Sequence, residues 1–147
     1  MKTTTTIIIL LIMALIGLQT NGAIADDDSK ATFQTGSVNG IEYIAGGVGD
    51  DDKEALESIA KSKYNVKLVF ATQSGSYLAD IPVEIIGKGS KKLLTVVSSG
   101  PLFYVKLPAG TYQIKATNEG MVKIQKVKVG TATQQIVFTW PNSNAVR

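Results

Sequence analysis

The chain has 147 residues, no cysteine and no histidine, and a formal net charge of +3 from fifteen basic and twelve acidic residues. Losing both residue types excludes disulfide staples, thiol chemistry, the usual hydrolase triads and the common zinc sites. Any catalysis would fall to carboxylates, lysine or serine alone, and no cofactor is expected.

Residues 1–25 read as a secretory signal peptide. Lys2 opens it, Ile7 to Leu18 is its apolar run, and Ala23-Ile24-Ala25 is the small-x-small pattern that places cleavage after Ala25. The run falls short of the ~20 apolar residues a spanning helix needs, so no integral membrane segment is expected after cleavage. The mature protein is therefore expected to be periplasmic or secreted. Without a cysteine it has no residue for the acyl anchor of a bacterial lipoprotein.

Residues 26–49 are acidic and then glycine-rich, and the first ten of them are expected to be disordered. Asn39-Gly40 is a turn signal, with Ile41, Tyr43 and Ile44 as short-strand residues. Residues 50–63 predict one short helix. Asp50 or Asp51 is placed to cap it, its early acids suit the positive end of the dipole, and Lys61 and Lys63 suit the other end. Leu56, Ile59, Ala60 and Lys63 form a stripe at helical spacing that is expected to dock on a sheet.

From Tyr64 the apolar period changes to two. Val66, Leu68 and Phe70 mark one strand; Ile81, Val83 and Ile85 the next; Leu93 to Val97 a third with less clear facing. Phe103, Val105 and Leu107, then Tyr112, Ile114 and Ala116, then Ile136, Phe138 and Trp140 mark three more. Met121 to Val129 changes phase: Val122 and Ile124 fall on one parity, Val127 and Val129 on the other. A bulge near Gln125-Lys126 would bring all four to the core. Seven short strands separated by turn residues predict a mainly β fold, a seven-stranded antiparallel Ig-like or transthyretin-like β-sandwich over residues 64–140 preceded by one short helix. Residues 141–147 form a C-terminal tail.

Charge is divided along the chain. Asp26 to Ser62 carries nine acids against three lysines, whereas Lys63 onward carries eleven bases against three acids. The acidic segment can solvate the basic domain, or the basic domain can offer a face to anionic glycans or membrane surfaces. Nucleic acid is not expected as a partner of an exported chain whose lysines are spread along strands.

The candidate chemical motifs are weak. The triplets Asp26-Asp27-Asp28 and Asp50-Asp51-Asp52 lack the alternating oxygens and distal carboxylate of a calcium loop. Gly46-Gly47-Val48-Gly49 lacks the lysine of a phosphate loop, and Asp50 to Asp52 would repel phosphate. Ser62-Lys63 and Ser90-Lys91 are adjacent pairs, which point to opposite faces of a strand. Trp140 shares parity with core residues. Tyr77, beside a turn, and Tyr104, on the parity opposite its apolar neighbours, are the residues expected to offer exposed aromatic contacts to a ligand such as a sugar ring.

Residues 64–140 resemble the carboxypeptidase regulatory-like domain, a transthyretin-like, prealbumin-type β-sandwich. The resemblance is carried by Leu78-Ala79-Asp80-Ile81-Pro82-Val83-Glu84-Ile85 after a glycine turn, by Ser99-Gly100-Pro101-Leu102-Phe103 leading into Leu107-Pro108-Ala109-Gly110-Thr111-Tyr112, and by Gly120 at the next turn. It implies a module that accompanies a peptidase without cutting peptides, or one that serves as a carbohydrate-binding module or spacer. The expected function is a non-enzymatic exported β-sandwich acting as a protein-interaction or accessory module in the cell envelope. The alternative is a carbohydrate-binding module for envelope or extracellular glycan. The oligomeric state is left open.

Overall fold

The computed structural model describes residues 32–142. The signal peptide, its cleavage site, Asp26 to Asp28 and most of the C-terminal tail lie outside the described residues. In chain order the elements are β1 (Gln34–Val38), β2 (Ile41–Gly46), α1 (Asp50–Ala60), β3 (Val66–Thr72), β4 (Ile81–Ile86), β5 (Lys92–Ser98), β6 (Leu102–Val105), β7 (Gly110–Asn118), β8 (Met121–Val129) and β9 (Gln134–Trp140). They form two sheets, β1-β2-β6-β3-β9 and β5-β4-β7-β8, packed face to face as a β-sandwich.

Seven strands from Val66 onward lie where the period-two pattern places them. The described residues hold nine, because the Asn39-Gly40 turn folds the glycine-rich segment into a hairpin that joins the first sheet, with Tyr43 opposite Val105 and Ala45 opposite Phe103. Both turn residues have positive φ, 51° and 77°, as a two-residue hairpin of matched twist requires. This hairpin also orders Gln34 and Thr35, the end of the stretch expected to be disordered. Pairing is antiparallel except between β3 and β9, which run parallel from Val66 opposite Gln134 to Thr72 opposite Trp140.

The main core lies between the sheets. Val66, Leu68, Phe70, Phe103, Val105, Phe138 and Trp140 face Ile81, Val83, Ile85, Leu94, Ile114 and Ala116 across it. Trp140 is fully buried between Phe70 and Phe138, and its indole N–H donates to the Met121 carbonyl at 2.9 Å, which ties β9 to the rim of the second sheet. The opposite rim is closed by Gln34, whose amide donates to Val97 O and accepts from Ser99 N, both at 2.9 Å.

A second, smaller core lies on the outer face of the first sheet, where α1 packs Leu56 and Ala60 against Ile44, Leu102 and Tyr104, with Tyr64 alongside. The helix begins at Asp50 with no side-chain cap: Gly49 occupies the cap position, and Asp50 instead pairs with Lys53 at 2.6 Å. Of the predicted stripe, Leu56 and Ala60 are buried and Ile59 is 51 % exposed. A lone helix touches a sheet along a narrow seam, and Ile59 lies past its edge.

The expected bulge in β8 is absent. All nine of its residues pair in unbroken register with β7, from Gly110 opposite Val129 to Asn118 opposite Met121. A complete ladder on an edge strand outweighs burial of two side chains, so Val122 and Ile124 project from the outer face, 49 % and 60 % exposed.

Candidate functional site

Three surfaces collect the polar and aromatic side chains. The first is the outer face of the first sheet beside α1. Tyr104 does point away from the main core, as its parity predicts, but α1 lies over it and leaves only 6 % of it exposed. Its ring meets Tyr64 at 6.5 Å, and the Lys67 ammonium lies 5.6 Å from its centroid while bonding the Glu57 carboxylate. Tyr104 is therefore not the open ring expected. Burial pushes its phenol above the usual tyrosine value. Burial works against the Lys67 ammonium, but the hydrogen bond to Glu57 and the neighbouring Tyr104 bring it above the usual lysine value.

Tyr77 is open, 53 % exposed, and its backbone bridges Ala71 on β3, which puts it on the same outer face. One side of its ring is taken by Lys53, whose ammonium sits 4.4 Å from the centroid. The hydrogen bond to Asp50 holds that ammonium above its usual range and the Asp50 carboxyl below its own. Tyr77 and Tyr104 thus belong to two separate cation–aromatic contacts, Lys53 with Tyr77 and Lys67 with Tyr104, rather than to one stacking platform.

The second surface is the outer face of the second sheet, which no helix covers. Pro82 pairs with Val97 and Lys115 with Ile124, so Val97, Pro82, Val122 and Ile124 are spread over one flat face. Near its centre Glu84 bonds Lys92 at 3.3 Å and lies 3.4 Å from Lys115, and the Lys92 bond leads the two lysines in drawing its carboxyl below the usual value.

The third is a groove of about 460 Å³ at one end of that face, lined by Ile86, Gly87 to Ser90, Thr111, Tyr112, Gln113 and Lys126. It arises from a stagger. β4 stops at Ile86, opposite Gln113, while β7 and β8 run on together to Gly110 and Val129, and the turn after β4 folds beside the uncovered strands. Gly89, with φ 72°, and Ser90, with φ 60°, shape that turn. Sequence reading missed this groove, since its walls come from separated segments; the glycines of Gly87-Lys88-Gly89 were its only local signal.

Among the described residues no group of three or more acids is placed to hold a metal ion, and no helix is long and apolar enough to cross a membrane. Comparison with known protein families and with curated proteins finds no match.

Proposed function

We propose that this chain is a non-enzymatic exported β-sandwich that works as a protein-interaction or accessory module in the cell envelope. The observation that carries this reading is the contrast between the two sheets: α1 packs over Ile44, Leu102 and Tyr104 on one outer face, while the other carries no helix and presents Val97, Pro82, Val122 and Ile124 among lysines. Exposed apolar residues gathered on one flat face are the usual mark of a docking surface. With Lys92, Lys115, Lys126 and Lys128 around them and Glu84 already engaged by two lysines, the fitting partner is a protein with an apolar centre and an acidic rim.

The resemblance of residues 64–140 to the carboxypeptidase regulatory-like domain supports a non-catalytic role. In its turn sequence Tyr112 enters the core, and its hydroxyl donates to Pro108 O at 2.7 Å. The test is capture of cross-linked partners from the host envelope by the tagged protein and by its Val122→Lys/Ile124→Lys variant. A recurring acidic protein that is lost with the variant, at unchanged melting temperature, is the expected result. Equal recovery by both proteins would refute this face as the docking surface.

The second reading, a carbohydrate-binding module, is favoured by the groove, whose lining mixes hydroxyl, amide and ammonium groups with the apolar surface of Ile86 and Tyr112. Tyr77→Ala tests whether the exposed ring takes part; glycan retention unaffected by that change would remove Tyr77 from the contact.

A further inference from the structure

The groove at the end of the second sheet has an unusual electrostatic balance. Lys88 from the turn and Lys126 from β8 line it, no acid does, and neither lysine has an ion-pair partner among the described residues. Lys128 extends the same face by one step, opposite Thr111. The nearest acid along β4, Glu84, is held by Lys92 and Lys115 and leaves the groove cations uncompensated.

Ser90, Thr111 and Gln113 add hydroxyl and amide groups to the lining, and Ile86 and Tyr112 add apolar surface. On its β8 side the backbone of the floor is paired, Tyr112 with Val127 and Gln113 with Lys126, while beyond Ile86 its β4 side is uncovered. The uncovered edge, Gly110–Tyr112, is three residues long and gives an incoming peptide strand little to pair with. The ammonium, hydroxyl and amide side chains of the groove match sugar hydroxyls and oxyanion oxygens.

We propose that this groove binds an acidic saccharide, one whose sugar units carry carboxylate or sulfate groups, with Lys88 and Lys126 pairing the anionic groups and Ser90, Thr111 and Gln113 meeting the hydroxyls. The proposal rests on the carbohydrate-binding reading and gives it a site and a ligand class. The docking of a protein on Val122 and Ile124 shares Lys126 with it but is read by a different variant, at the apolar positions.

The experiment is calorimetric titration of the purified protein with oligogalacturonate and with a heparin-derived hexasaccharide, against maltohexaose, hexa-aspartate and inorganic phosphate. Saturable binding of at least one acidic saccharide is expected, carboxylate-borne or sulfate-borne according to which one binds. It should weaken at least tenfold in Lys88→Gln/Lys126→Gln and fall as salt is raised. Lys123→Gln should bind as the parent does, since Lys123 lies on the opposite face of β8. Maltohexaose, hexa-aspartate and phosphate should bind at least tenfold more weakly. Acidic-saccharide binding that survives in the double variant would overturn the site and keep the carbohydrate reading, whereas no binding of any saccharide would overturn both. Equal binding of hexa-aspartate, or of phosphate as an adventitious ion only, would overturn the ligand class.

Discussion

Replacing Leu56 with alanine tests whether α1 belongs to the same cooperative unit as the sandwich. Leu56 is fully buried in the outer core beside Ile44, Leu102 and Tyr104. Truncating a buried leucine costs about 2–5 kcal/mol, set by how far the site collapses around the cavity, and a seam at the edge of the molecule points to about 3 kcal/mol. For a domain of this size each kcal/mol moves the melting temperature by roughly 4 °C, so Leu56→Ala should melt about 12 °C below the parent. Trp140 is the only tryptophan and is buried in the other core, on the far side of the first sheet, so its emission reports the sandwich and not the helix. Ile59→Ala, at a half-exposed position on the same helix, should stay within about 0.5 kcal/mol of the parent. A Trp140 transition in Leu56→Ala within about 2 °C of the parent would refute the coupling and make α1 an independently undocking layer.

Gly100 sits where two backbones touch: a Cβ there would lie 2.2 Å from the Gly46 carbonyl oxygen, whereas a Cβ on Gly130 meets nothing within 4 Å. Gly100→Ala should therefore lose about 3 kcal/mol or more in urea unfolding, and Gly130→Ala should be near neutral; similar midpoints for the two would contradict the close approach. Glu84 provides a pH test. Its carboxyl is drawn below the ordinary value, first by the hydrogen bond from Lys92, so its contribution to stability is complete above the unfolded-state pKa and is lost as pH falls through the lower folded value. Thermal melts from pH 7 to pH 3 should show a shallower acid decline for Glu84→Gln than for the parent, and superimposable slopes would remove Glu84 from the acid response.

Most strands from Val66 onward are readable because one face is buried and the other wet, which writes a period of two into the residues. One further feature has a signal that alternation alone does not use. Leu102 to Val105 is an unbroken apolar run, the pattern of a strand buried on both faces, and it marks where α1 docks. Parity alone puts Tyr104 on the correct face, but the helix that covers it comes from more than forty residues earlier, outside any local window. The parallel partnership of β3 and β9 and the stagger that opens the groove depend on which strands meet, and facing patterns do not encode partners. Val122 and Ile124 misled because burial was assumed to govern register, whereas on an edge strand the ladder does.

The parallel pairing of β3 with β9 also joins segments far apart along the chain, from Val66 opposite Gln134 to Thr72 opposite Trp140. Every strand from β4 to β8 must be looped out before Gln134–Trp140 can lie beside Val66–Thr72, and Phe70 has no ring partner until Phe138 and Trp140 arrive, 6.0 Å and 6.4 Å away. Closing so long a loop delays the contacts that reward it. Without Gln134–Trp140, β3 would become the edge of its sheet and the interior would lose the buried Phe138 and Trp140 rings at that rim.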